Sequence, residues 1–313
     1  MKTNIVLKSI LASLMVIALF SCETKEKGTK TSKDIAQSES VKAELPPAKA
    51  LHSDFKSYWY AGEAEITSYK LEQARYGELR DGEAVLIYVT EDFLPNVQVK
   101  ADNYDKANIP ILKLNATKNF VTGIYPYRIM QSTFFPVANN QHAIKAVASM
   151  QEWCGQVYAQ LNNRDDFEIV SHSYFQGEAD QNLSLTKTYL ENEVWTQLRL
   201  DPKTLPTGDF EMIPALEYIR MKHVDFKAFK ANAVLSEGNY TITYPNLNRS
   251  LSIDFNPEFP YEVEGWSETY KEGYGDNAKE MTTKATKLKL IKSAYWGKNG
   301  TEDEGLRQTL GLK

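Results

Sequence analysis

The chain has 313 residues, 42% of them apolar and 25% charged, the proportions of a globular protein with ample material for a core. Its formal net charge is −5. A mildly acidic chain without a basic stripe excludes nucleic acid as a natural partner, because phosphate contacts need Lys and Arg gathered on one face.

The N-terminus reads MKTNIVLKSILASLMVIALFSC. Lys2 and Lys8 make a positive n-region, and Ser9 to Phe20 is an uncharged apolar h-region. That length suits the roughly 7–15 residues of a secretory signal and falls short of the roughly 20 needed to span a bilayer. The segment closes on Ala18-Leu19-Phe20-Ser21-Cys22, which resembles the lipobox of bacterial lipoproteins, where a small residue precedes the modified Cys. The resemblance implies cleavage before Cys22, a diacylglyceryl thioether on its sulfur and acylation of the new amine. Two or more acyl chains anchor a protein stably where one does not. Residues 1–21 are thus expected to be a signal peptide. Residues 22–50 are expected to be a disordered tether: Glu23 to Ala50 is rich in Lys, Glu, Ser and Thr and has almost no large apolar residue to bury. As a flexible coil it would reach about 30 Å. The expected location is the cell envelope, at the outer rather than the inner membrane, with the folded domain, residues 51–313, periplasmic or surface-exposed.

Along that domain, aromatic content favours strands: the chain has eighteen Tyr, and Tyr suits half-buried pleated surfaces. Ala64 and Ile66 alternate with Glu63, Glu65 and Thr67, whereas Tyr69 and Leu71 fall out of phase, so Gly62 to Tyr76 reads as a strand with a bulge. Arg80-Asp81-Gly82-Glu83 carries a turn signal. Ala84 to Val89 is a continuous apolar run, the pattern of a strand buried on both faces. Leu112, Leu114 and Ala116 alternate with polar residues, and β-favouring residues continue from Phe120 to Phe135. Asp166 to Phe175 reads as strand and Leu190 to Arg199 as a short helix. Phe210 to Met221 reads as a second helix interrupted near Pro214. The C-terminal third is an antiparallel meander: Tyr240 to Tyr244, a hairpin loop over Pro245 to Arg249, Leu251 to Phe255, Tyr261 to Tyr270, and Lys284 to Tyr295.

Between these, Ile144, Val147, Met150, Cys154, Val157 and Leu161 recur at three- and four-residue steps. They predict one long helix from His142 to Leu161. On that stripe Cys154 is a small core hydrophobe; the alternative is a nucleophile served by His142 or His172. If Cys22 is lipidated, Cys154 has no disulfide partner and the core alone must hold the fold. The expected fold class is α+β and β-rich. A curved antiparallel sheet, a half-barrel or open barrel, would wrap the long helix, with one or two shorter helices beside it.

No zinc spacing, phosphate loop or nucleophile elbow occurs, and His52, His142, His172 and His223 are far apart in sequence. No cofactor or metal is therefore expected. The runs Tyr58 to Ile66, Gln73 to Glu78, Val89-Thr90-Glu91-Asp92-Phe93, Glu152-Trp153-Cys154-Gly155 and Tyr261 to Trp266 resemble a family of bacterial envelope lipoproteins. Its members are often labelled septum formation inhibitor Maf. Maf pyrophosphatases open with Leu-Ala-Ser-x-Ser-Pro-Arg-Arg, whereas Leu11-Ala12-Ser13 here precedes Leu14-Met15-Val16. The resemblance implies a location and a fold, and no activity. The resulting expectation is a membrane-anchored lipoprotein that binds, without catalysis, an apolar or amphipathic ligand or an envelope protein. The alternatives are an envelope hydrolase using Cys154 or a carboxylate with a His, and a scaffold subunit with a large exposed apolar patch.

Overall fold

The computed structural model describes residues 51–138, 142–273 and 275–312; Cys22, the signal peptide and the tether lie outside the described residues. The elements are α1 (Ser53–Trp59), β1 (Ala64–Arg75), β2 (Glu78–Leu94), β3 (Val99–Lys100), β4 (Ile109–Thr122), β5 (Tyr125–Pro136), β6 (Lys145–Glu152), β7 (Gly155–Asn163), β8 (Phe167–His172), β9 (Gln181–Leu185) and β10 (Tyr189–Leu190). They continue with α2 (Glu191–Leu200), β11 (Gly208–Ile213), α3 (Leu216–Lys222), β12 (Phe229–Ser236), β13 (Asn239–Tyr244), β14 (Arg249–Phe255), β15 (Val263–Glu272), β16 (Lys279–Ser293) and α4 (Gly305–Thr309). Among the described residues no helix is long and apolar enough to cross a membrane.

The strands form one curved, unclosed sheet. Its path runs from β10 through β11 to β16, then β1, β2 and β4 to β9, with β3 against β2. Every pairing is antiparallel except β10 with β11. The two edge strands are nearly consecutive in sequence, since β9 ends at Leu185 and β10 begins at Tyr189. A four-residue step spans at most about 14 Å, so the edges come close without pairing. This is the open barrel that the alternating strands predict.

Local chemistry explains most of the pairing. The phase slip at Tyr69 is a bulge, a register shift between Ser68 and Tyr69 against β16. The β1–β2 turn sits at Tyr76-Gly77, both with positive φ (55° and 77°), as a two-residue hairpin requires. The turn expected at Asp81-Gly82 does not form. Both residues lie inside β2 and pair with Glu72 and Leu71. Gly82 is needed there for close approach: a Cβ would sit 2.3 Å from the Asn119 carbonyl oxygen.

The largest correction concerns residues 142–161, which form the β6–β7 hairpin and not a long helix. Ala146, Ala148 and Met150 on β6, and Val157, Ala159 and Leu161 on β7, alternate into the core with period two. The apolar residues at three- and four-residue steps match the helical period, but Val147 points away from the core and the alanines, weak markers of burial, fill the alternate positions. Pro214 likewise ends a strand, β11, in which Met212 and Ile213 are buried, and α3 starts only after it. The helix enclosed by the sheet is α2, in the place expected from Leu190 to Arg199 but only ten residues long. The C-terminal segment lies on the outer face of the sheet, where Leu310 packs with Ala64, Ile66, Val85 and Val89. That cover is why Ala84 to Val89 is shielded on both sides.

Candidate functional site

The concave interior is filled. Tyr88 Oη donates to the Trp195 carbonyl (3.1 Å) and Thr133 Oγ1 to the Asn192 carbonyl (3.2 Å), fastening α2 to β2 and β5. At the N-terminus of α2, the Glu193 carboxylate accepts from its own helix start, Leu190 N–H (3.1 Å), and from Ala143 N–H (2.8 Å). It also meets His142 Nδ1 at 2.9 Å. At the other end Arg199 is fully buried. It is bidentate to Glu65, with Nη2 to Oε2 at 2.6 Å, and is flanked by the Trp59 and Tyr88 rings at 5.0 and 4.7 Å. Burial alone would raise the Glu65 carboxyl; the Arg199 charge and its hydrogen bonds outweigh burial and hold it below the usual carboxylate range.

A second buried ionic group lies across the interior. Arg249 joins Glu191 (Nη2 to Oε1, 2.6 Å) and Glu268 (Nε to Oε1, 2.6 Å), while Tyr244 Oη donates to Glu191 (2.8 Å) and the Tyr218 ring lies 4.0 Å from the guanidinium. Lys118 donates to Glu217 at 2.8 Å. The cavity left among these groups is only about 50 Å³, room for a few water molecules and not for an organic ligand. These charges are matched to one another, so they serve the fold more than any chemistry.

A larger cavity of about 290 Å³ lies between α3 and the strands β5 to β9. This is close to the lower end of the roughly 300–1,000 Å³ typical of small-molecule sites. α3 is held over it by its N-terminus, where Leu216 N–H donates to Asn192 Oδ1 (3.0 Å) and Glu217 N–H to Gln131 Oε1 (3.2 Å). Much of the wall is apolar, with Met150, Val157, Leu183, Ile219 and Phe226 among its residues. One end is charged. His223 caps α3 in the left-handed conformation (φ 53°, ψ 42°), which turns its ring toward Glu178 in the loop between β8 and β9. Ser173 Oγ also donates to Glu178 at 2.6 Å. Arg220 lies over the Phe175 ring at 4.1 Å. Glu178 and His223 keep 23% and 38% of their side-chain surface in solvent, so this end is reached from outside.

The sequence-predicted residues do not converge. Cys154 is exposed in the two-residue turn between β6 and β7, not on a buried stripe. Its thiol pKa is raised, chiefly by its hydrogen bond to Glu152, which works against nucleophilicity. His172 pairs across the sheet with Tyr158, four residues along β7 from Cys154, about 13 Å away. His142 lies beyond the far end of β6, roughly 25 Å away. His52 caps α1, its Nδ1 accepting from Asp54 N–H at 3.3 Å. Among the described residues no group of three or more His, Cys, Asp or Glu could hold a metal ion. Of the cavity's charged end, the sequence marks only His223, as one of four histidines; nothing local distinguishes Glu178 or Arg220 from surface charges.

No family model matches the sequence, and no curated protein matches it. Among solved structures, a porin-like protein from Bacteroides uniformis is similar at 8% identity over 72% of this chain and 95% of that one, with a TM-score of 0.21.

Proposed function

We propose that this chain is a lipid-anchored envelope protein that binds a small amphipathic molecule, without transforming it, in the cavity beneath α3. The observation that carries the reading is the cavity itself: about 290 Å³, largely apolar in its wall, charged at one end, and walled by strands β5 to β9. Its make-up suits a ligand with an apolar body and a polar head. The space left around the buried ion pairs beside α2 is far smaller, about 50 Å³. The anchor rests on Cys22 and the segment that precedes it.

The two parts are tested separately. For the anchor, Cys22→Ser is expected to move the protein from the membrane fraction to the soluble fraction in fractionated cells, since the acyl chains supply the holding energy. Equal retention of both forms would remove the anchor. For the cavity, the neutral probe N-phenyl-1-naphthylamine is expected to brighten on binding the wild-type chain and to lose at least about tenfold in affinity in Ala148→Trp. Ala148 lines the cavity and is buried on β6, so the indole fills the space at an overpacking cost of about 1–3 kcal/mol. Undiminished binding by a folded variant would place the probe elsewhere.

A further inference from the structure

One cation at the polar end of the cavity beneath α3 lacks a close carboxylate partner. Three carboxylates line it, and each already has its donors. Glu217 accepts from Lys118 Nζ at 2.8 Å and Gln131 Nε2 at 2.9 Å; Asp225 accepts from Lys227 Nζ at 3.0 Å; Glu178 holds His223 and Ser173. Arg220 is different. The nearest carboxylate oxygen to its guanidinium is Glu178 Oε1, 3.9 Å from Nη1, beyond hydrogen-bond reach. Its Nε is buried with no hydrogen-bond partner. Its remaining contacts are the Phe175 ring and the His223 ring nitrogens at 3.4 Å. Burial pushes its pKa down, the mark of a cation incompletely compensated where it sits. A guanidinium in this state recognises oxyanions strongly, because its planar fork matches a carboxylate or phosphate and charge-assisted hydrogen bonds are about twice as strong as neutral ones.

We propose that the cavity takes a single-chain anionic amphiphile, with its carboxylate or phosphate head against Arg220 and its alkyl chain along Met150, Val157, Leu183, Ile219 and Phe226. This rests on the reading of the cavity as a ligand site and adds the sign of the head. Arg220 supplies the charge that the head meets, and Glu178 holds His223 in place beside it. The apolar wall gives affinity to any chain of suitable length; Arg220 decides among heads.

The test is displacement of N-phenyl-1-naphthylamine from the wild-type chain by four ligands with the same ten-carbon chain: decanoate, decyl phosphate, 1-decanol and decyltrimethylammonium. Decanoate, decyl phosphate or both are expected to bind at least about tenfold tighter than the alcohol and tighter still than the cation. Whichever anion binds tighter assigns the head as carboxylate or phosphate. Arg220→Met is expected to bring the anions down to the alcohol while leaving the alcohol unchanged, and Arg220→Lys to keep part of the preference. Equal binding of all four ligands would overturn the proposal and leave the cavity as a ligand site. Failure of all four to displace a bound probe would remove the alkyl-chain site and the head preference together. The wild-type comparison decides even if a variant fails to fold.

Discussion

Arg249→Met is expected to destabilise the protein by about 3–5 kcal/mol, enough to remove much of the 5–15 kcal/mol that holds a typical domain folded. Arg249 neutralises two carboxylates, Glu191 and Glu268, and all three side chains are buried. Its removal leaves a Met of comparable length but strands two negative charges inside the barrel, where they also face Glu217. Burial would then act on Glu268 with only Lys118 and Lys222 in opposition; in the wild type burial is outweighed, by the Arg249 charge first, and the carboxyl sits below its usual range. Urea denaturation reads the loss as a lower midpoint at unchanged slope. Glu191→Gln and Glu268→Gln in the Arg249→Met background should recover part of it, because the stranded charges are the source of the cost. A loss under about 1 kcal/mol in the single variant would show that water reaches these groups and that the network is not a dry one.

Arg199→Met is expected to cost a similar 3–5 kcal/mol, with a distinctive dependence on pH. In the wild type Glu65 is held below its ordinary value of 4.5. A carboxyl lowered in the folded state contributes stability that is present above the unfolded value and is lost as pH falls through the folded one. In Arg199→Met the largest opposing influence is gone and burial drives the Glu65 carboxyl upward. The folded variant then takes up a proton more readily than the unfolded chain, so acid relieves it. The stability gap between wild type and variant should therefore begin to narrow above 4.5, as the variant's Glu65 takes up its proton, and go on narrowing until pH falls through the lowered wild-type value, where both forms carry a protonated Glu65. Glu217 behaves like the variant's Glu65: burial, only partly offset by Lys118, raises it, so its proton is bound more tightly folded than unfolded and its contribution fades as pH rises. Stability curves for the two proteins at several pH values measure the gap directly, and a pH-independent gap would mean that Glu65 is not the stranded charge.

How far the sequence discloses this molecule follows from what each signal can see. The strands of the C-terminal meander and the bulge at Tyr69 are present in the alternation of residues, and the doubly buried run at Ala84 to Val89 in its unbroken apolar character, because both are local properties of the chain. The helix α2 is legible from local signals too, in a short segment that Pro202 and Pro206 follow. The β6–β7 hairpin is not: apolar residues at steps of three and four satisfy a helix, and only the neighbouring strands β5 and β8 decide that Ala146 and Ala148 face inward. Gly82 misleads in the same way, since its reason for being glycine is the Asn119 carbonyl on another strand. Cys154 moves from the core to an exposed turn with that hairpin. The cavity's charged end is wholly tertiary. Glu178, Arg220 and His223 meet because the left-handed cap of α3 swings one loop against another, and the incomplete compensation of Arg220 appears only once every other charge in the cavity has been assigned a partner.

The most direct measurement is native mass spectrometry of the full-length protein extracted from its own membrane, wild type beside Ala148→Trp. The wild type is expected to carry, beyond the mass of chain and acyl groups, a single small amphiphile that the variant lacks. Masses that equal chain plus acyl groups for both proteins, with no added molecule on either, would contradict the cavity beneath α3 as a binding site.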